Sequence, residues 1–220
     1  LLHGGPGFDH SVYRPAFSAL SDIAQIVYLD HRGNGRSDHG PKDLWNLSQW
    51  ADDVKAFCDA LEIKQPIVYG ASFGGMVAMA YATRHPTHPL ALALVSTTAQ
   101  ANSHIDAKIA MFSRLGGQEA GELAHRRFVL GDTSPEVMAA WLKIALPLYT
   151  QKNLDPGAME RIVTNQEATA WFNRLGGEGR QFDMLADVPN IHCPTLVLGG
   201  QLDPMLPIEC QRDIANALDP

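Results

Sequence analysis

The chain has 220 residues, and its 45% apolar and 19% charged content fits one sizeable folded domain, or one domain with a large insertion, and excludes a disordered chain. Seventeen Lys and Arg against 24 Asp and Glu leave a formal charge of −7, which argues against a non-specific nucleic-acid binder, because that needs a basic face to displace counterions. No apolar run approaches the roughly 20 residues that span a bilayer, so no membrane span is expected.

Three scattered cysteines, Cys58, Cys193 and Cys210, lack any C-x-x-C spacing, which speaks against a disulfide framework or a zinc knuckle. A reducing, cytoplasmic setting is the expectation. The chain opens on Leu1-Leu2-His3 without Met and stops at Leu218-Asp219-Pro220. The reading therefore expects a fragment lacking both ends, with any signal peptide in the missing part.

In chain order, four short apolar runs read as buried strands: Ile23–Asp30, Pro66–Gly70, Leu90–Ser96 and Thr195–Gly199. None has a polar face, the pattern of strands covered on both sides in a parallel sheet. Before the second run, Ser48 is the expected N-cap of a helix whose apolar stripe is Trp50, Val54, Phe57, Cys58 and Leu61, with Asp52 and Asp53 near its start. A second helix is expected from Phe73 to about Arg84, stopped by Pro86. Strand–helix–strand alternation implies crossover units and an α/β fold, a mostly parallel sheet flanked by helices.

From about Ala101 to Pro189 strand signals vanish and helical stretches alternate with Gly and Pro breaks. The expected organisation is a core over 1–100, a helical cap over 101–190 and a second part of the core over 191–220. Within the cap, Phe112-Ser113-Arg114-Leu115-Gly116-Gly117 echoes Phe172-Asn173-Arg174-Leu175-Gly176-Gly177. Both are read as helix ends closed by left-handed glycines.

The strongest chemical signal is Gly70-Ala71-Ser72-Phe73-Gly74, set between a strand and a helix. A serine hydroxyl is a poor nucleophile unless it is exposed, near a base and beside oxyanion donors. A sharp strand-to-helix turn supplies the exposure, and its crowding demands the small residues found two before and two after the serine. The amide of Phe73, at the helix N-terminus, is one expected oxyanion donor. His3-Gly4-Gly5-Pro6-Gly7 supplies the other: Pro6 has no N–H, so Gly5 is chosen, with Gly4 as the alternative. His3 is expected to hold this loop through its ring. Asp30-His31-Arg32-Gly33-Asn34-Gly35-Arg36-Ser37-Asp38 reads as a tight polar turn under the site. In Gly199-Gly200-Gln201-Leu202-Asp203-Pro204, Asp203 follows the last strand and is the expected acid that orients a histidine. Asp183, Asp187 and Asp213 are weaker candidates.

Together these four segments resemble the α/β-hydrolase fold family, and the HGGPG with D-x-R-G-x-G-x-S pairing is most similar to its proline iminopeptidase-like branch. The resemblance covers about 1–98 and 191–220. It implies a serine hydrolase with Ser72 as nucleophile, Asp203 as triad acid, and Phe73 with a glycine of the His3–Gly7 loop as oxyanion hole. It implies a small-molecule or short-peptide substrate; with no H-E-x-x-H, phosphate loop or dinucleotide fingerprint in the sequence, no metal or organic cofactor is expected. All 9 histidines precede Asp203, whereas the family's catalytic histidine follows the acid. The expectation is therefore a base beyond Pro220 and a 220-residue chain nearly inactive alone. His10, His31, His39 and His104 are the alternatives by loop position.

The substrate is left open. Release of an N-terminal proline would need a carboxylate for the substrate ammonium, for which Glu160, Glu167 and Glu178 are candidates. An uncharged pocket, lined by Trp141, Leu142, Leu146, Leu148, Tyr149, Trp171 and Phe172, would suit an esterase, a lactonase or a carbon–carbon bond hydrolase. A carboxylate nucleophile, as in dehalogenases, is disfavoured by Ser72. A hydrolase-fold ligand receptor without turnover is the competing reading from a different class.

Overall fold

A computed structural model describes residues 1–151 and 156–218; Asp219 and Pro220, read as the chain just past a helix, lie outside them. Its sheet has three parallel strands in the order β1 (Ile67–Ala71), β2 (Ala91–Val95) and β3 (Thr195–Leu198). Ala71 pairs with Val95 and Val95 with Leu198, so all three strands end in one row. Leu2 extends the sheet beyond β1, bridging Gly70 on one side and Leu29 on the other, both in parallel.

The expected strand Ile23–Asp30 is reduced to that single bridge. Its neighbour in the sheet is Leu1-Leu2, which gives way at once to the glycine-rich turn. The contacts are Leu29 N–H to the Leu1 carbonyl at 3.3 Å and the Leu1 amino group to the Val27 carbonyl at 2.8 Å. Ile23 is 77% exposed. The other three strands form as expected, within a residue or two of the expected ends. β3 departs from the two-sided burial expected of it: it is an edge strand, and its alternate side chains Leu196 and Leu198 stay 55% and 47% exposed.

Helix α1 (Leu47–Ala60) starts two residues earlier than the Ser48 reading, because Asn46 is the N-cap and its side chain accepts the Gln49 N–H at 2.9 Å. Leu47, Trp50, Ala51, Val54 and Cys58 form its buried stripe, while Leu61 lies past its end, exposed. Asp52 and Asp53 sit beyond the first turn and serve as ion-pair partners instead, Asp52 to Arg84 and Asp53 to Arg32. Helix α2 (Phe73–Arg84) has the expected bounds and is buried along most of its length, between α1 and the strands.

Between β2 and β3 the described chain is helical: α3 (Ile105–Phe128), α4 (Pro135–Ala140), α5 (Pro156–Arg161) and α6 (Gln166–Asn173). Gly117, with φ 76° and ψ −170°, kinks α3 rather than ending it, whereas Gly176 (φ 72°) lies just past α6. Gln100 and Asp183 bridge in antiparallel fashion and so close the base of this block. Helix α7 (Ile208–Leu218) follows β3. One apolar core joins α1, α2 and the strands with Phe172 and Phe182; a second holds Phe112, Leu123, Val137, Trp141 and Ala145, with Met205 against it. Cys58, Cys193 and Cys210 are all free thiols. None of the described helices is long and apolar enough to cross a membrane.

Candidate active site

Ser72 is the turn between β1 and α2. Its backbone is at φ 53°, ψ −120°, a left-handed conformation that a non-glycine residue holds only when its surroundings enforce it. The enforcing contacts are visible. The Ser72 N–H donates to the carbonyls of Val95 and Ser96, both at 3.0 Å, and its own carbonyl accepts the Thr97 hydroxyl at 2.7 Å and the Gly75 N–H at 3.0 Å. The turn has no spare volume. A Cβ on Gly70 would lie 2.3 Å from the Gly74 carbonyl oxygen, and one on Gly74 would lie 2.0 Å from the Leu2 carbonyl oxygen. The two glycines singled out by sequence are thus required by packing. Ser72 is half-buried, and its hydroxyl makes no hydrogen bond among those of the described residues.

The Phe73 amide is the first of α2, so it has no acceptor within the helix. Its ring is buried against Trp50, Phe172 and His31, which fixes the helix start. The His3–Gly7 loop lies directly against the turn: a Cβ on Gly4 would be 3.5 Å from the Ser72 Cβ. Gly5, at φ 55°, faces the Phe8 ring.

This loop is held from several sides. The His3 ring bonds the Gly4 carbonyl through Nδ1 (3.1 Å) and accepts the His31 N–H at Nε2 (3.2 Å). The Gly7 N–H donates to Asn34 Oδ1 at 2.5 Å, Thr169 Oγ1 to the Pro6 carbonyl at 2.5 Å, and the Asn165 N–H to the Gly7 carbonyl at 2.7 Å. Burial pushes both His3 and His31 below the ordinary imidazole pKa of 6.5, His31 far below it.

The Asp30–Asp38 turn supports the same loop. Asp30 accepts the amides of His10 (2.8 Å) and Arg36 (2.9 Å) and the His10 ring (2.7 Å). Burial raises the pKa of this carboxyl, but the bonds from Arg36 and His10 outweigh burial and hold it below the ordinary value. Asp9, His10 and Asp30 bring three potential metal ligands together, yet their atoms already bond Ser11, Arg36 and one another.

Asp203 follows β3. Ser72 and Gly199 come directly after the terminal row Ala71–Val95–Leu198, so they leave the same edge of the sheet, two strand spacings or about 10 Å apart. Asp203 Oδ1 accepts the Met205 and Leu206 amides, both at 2.9 Å, which fixes the carboxylate in its turn. Serine and acid therefore share one rim. The weaker acid candidates are placed otherwise. Asp213 pairs with His104 at 2.6 Å, Asp183 accepts the Gln100 side chain at 2.9 Å, and Asp187 lies in the segment leading to β3.

Among the described residues no imidazole is hydrogen-bonded to Ser72 or Asp203. His10 pairs with Asp30 and His104 with Asp213; His31 is buried on His3, and the His39 carbonyl accepts the Trp45 indole N–H. Glu167 pairs with Lys42 at 2.5 Å, and Glu178 accepts the Leu47 N–H at 2.7 Å, so both contact the chain entering α1. Glu160 is exposed on α5. The apolar candidates divide: Trp171 and Phe172 join the sheet core, Trp141 and Leu148 the second core, and Leu142 is 61% exposed.

Sequence reasoning missed Thr97, Asn165 and Thr169, which bind backbone carbonyls of the elbow and the glycine loop, and it named Asn34 only as part of the turn under the site. Only Thr97, directly past a strand end, carries even a weak positional signal. Lys108 drew no notice either; it is 6% exposed, and burial pushes its pKa below the ordinary value, with Cys210 and Asp203 opposing the shift.

The family model described as alpha/beta hydrolase fold matches residues 1–219. The chain is 29% identical over 225 residues to the proline iminopeptidase PfmaB of Pestalotiopsis fici, covering 99% of this chain and 79% of that protein. It is 25% identical over 222 residues to the putative carbamate hydrolase RutD of a Caulobacter species, covering 99% and 78%. The crystal structure of proline iminopeptidase from Mycobacterium smegmatis superposes with a TM-score of 0.78 at 21% identity, covering 98% of this chain and 76% of that one. A tight serine turn at the end of a parallel strand, a glycine loop against it and an aspartate on the same rim agree with the match across nearly the whole chain: it belongs to the alpha/beta hydrolase fold family.

Proposed function

We propose that the chain carries the nucleophile, oxyanion donors and acid of a serine hydrolase that cleaves a small ester or amide through an acyl-enzyme. Ser72 Oγ bonds to the substrate carbonyl carbon while its proton passes to an imidazole oriented by Asp203. The Phe73 and Gly5 amides, with Gly4 as the alternative donor, take the charge that develops on the carbonyl oxygen. The leaving group departs with the proton, and water then cleaves the acyl–Ser72 ester. The helical block over 101–190 acts as the cap. The observation that carries this reading is the half-buried, unbonded Ser72 hydroxyl on a positive-φ turn at the N-terminus of α2.

No imidazole among the described residues is bonded to Ser72, so the 220 residues alone have only residual turnover. Triad members act as a unit, so Ser72→Ala changes little while the base is lacking. Added imidazole is the discriminating reagent. It should raise hydrolysis of p-nitrophenyl acetate by about tenfold or more over its own background, and Ser72→Ala should abolish the gain. A fluorophosphonate should label Ser72 in the same solution. Equal imidazole gains in both proteins, with no label at Ser72, would leave a ligand receptor as the better reading. Two kinds of substrate, a free-amine proline arylamide beside its N-acetyl form and a short acyl ester, separate peptide from ester chemistry.

A further inference from the structure

Two cations lie inside the helical block without an ion-pair partner among the described residues. Lys108, on α3, is 6% exposed, and its Nζ sits 5.6 Å from the centroid of the Phe128 ring. Arg127, near the end of the same helix, is partly buried; its Cζ is 4.5 Å from the Trp141 ring and its Nη1 donates to Met138 Sδ at 3.1 Å. Among the described residues neither has a carboxylate oxygen within 4.0 Å. The adjoining Arg126 shows what the block does with an ordinary surface cation: it pairs with Asp132 at 2.9 Å and Glu136 at 3.5 Å.

The two rings belong to one cluster, with Phe128 and Trp141 centroids 5.5 Å apart and Phe112 5.0 Å from Trp141. Met205, two residues from Asp203, packs against that cluster. Burial pushes the Lys108 ammonium below its ordinary pKa, with Cys210 and Asp203 acting against that shift, and burial pushes the Tyr149 hydroxyl up, with Arg127 acting against it. Asp203 Oδ1 is already committed to two amides and lies outside ion-pair reach of Lys108. Arg180 adds further positive charge near Arg127. A ring face stabilises a cation less than it loses by leaving water, so both cations stay incompletely compensated where they sit.

We propose that Lys108 and Arg127 form an anion subsite beside the Asp203 loop, selecting substrates whose acyl or leaving part bears a carboxylate. Only the bond to be cut rests on the serine-hydrolase reading; the charge preference is read by binding. It also sets the chain apart from an enzyme for free N-terminal amines, whose ammonium these cations repel.

Three probes of one length differ only in the terminal group: adipamate (carboxylate), adipamide (neutral) and 6-aminohexanamide (ammonium). Calorimetric titration of the chain should find adipamate bound at least about tenfold tighter than adipamide, with 6-aminohexanamide weakest. Lys108→Met and Arg127→Met should each bring adipamate within about twofold of adipamide without lowering Tm, because neither cation is paired. A fall in Tm for Lys108→Met with the carboxylate preference intact would make the lysine a strut to Asp203 and overturn the proposal. Equal affinity for the three probes, binding of none, or preference for the ammonium would overturn it as well. Loss of the imidazole response with the carboxylate preference retained would instead remove the hydrolase reading and leave the subsite standing.

Discussion

The loops at the sheet's carboxyl edge and the interior of the helical block treat buried charge in opposite ways. At the edge the buried carboxylates of the described residues have partners: Asp30 takes two amides and an imidazole, and Asp9 takes Ser11 and Arg36; the half-buried Arg32 likewise holds Asp53 through two bonds. In the block, Lys108 and Arg127 face aromatic rings. Paired charges fix backbone, and the backbone they fix is the glycine loop against Ser72. Cations held only by ring faces gain little in the folded chain and stay available to an anion from outside it. The first region is built for geometry and the second for selection.

The largest effect expected from this contrast is at Asp30. Asp30→Ala leaves the His10 and Arg36 amides without their acceptor and frees the His10 ring, a loss of about 3 kcal/mol. Urea unfolding should show it as a lower midpoint at unchanged m-value. Lys108→Met under the same conditions should cost nothing. If the two substitutions destabilised equally, the contrast between the regions would be gone.

The sequence made the edge far more legible than the block. Ser72, Phe73, the glycine loop and Asp203 could be read because each sits beside a short apolar strand, and a tight turn restricts residue type to the few that fit. Gly70 and Gly74 are glycine because a Cβ would meet backbone within 2.3 Å. The misreadings have the same origin. Ile23–Asp30 has the composition of a strand, but its ladder depends on Leu1-Leu2, a property of the partner. Ser48 and Asn46 are both good caps, and only the backbone of Asn46 (φ −144°, ψ 160°) decides between them. Lys108 and Arg127 carry no local signal. Their meaning lies in which ring each one faces, which depends on contacts between helices and not on spacing along one of them.

Acid should separate the regions next. His3 and His31 are held neutral by burial, with folded pKa values below the ordinary 6.5. Below that pH the unfolded chain binds protons that the folded chain refuses, so stability falls as pH drops from about 6.5 toward the folded values. The slope reaches about 1.4 kcal/mol per pH unit for each imidazole. His31→Phe should flatten the Tm profile between pH 6.5 and 5. Because His3 Nε2 accepts the His31 N–H while Nδ1 holds the Gly4 carbonyl, protonation breaks the link between the two loops, and the imidazole-dependent esterase rate, taken per mole of unprotonated imidazole, should fall along with Tm. A rate that held steady while Tm fell would mean that the glycine loop keeps its shape without the histidine pair.

The smallest effect tests whether the edge's pairing serves geometry rather than stability. Thr97 Oγ1 donates to the Ser72 carbonyl at 2.7 Å, and Gln211 Nε2 donates to the Thr97 carbonyl at 2.7 Å, so α7 is tied through the end of β2 to the serine turn. Thr97→Val keeps the shape that packs against Gly75 and removes only the hydroxyl bond, at a cost of about 1 kcal/mol. The Ser72 carbonyl retains the Gly75 and Met76 amides, so the turn survives, but the restraint that opposes relaxation of φ toward negative values is weaker. Thr97 is then a positioning residue: fluorophosphonate labelling of Ser72 should slow several-fold while binding of adipamate is unchanged. Slower labelling with intact binding separates a displaced serine from a loosened fold, because a loosened fold would lose both, and Thr97→Ser, which restores the donor, should recover the rate.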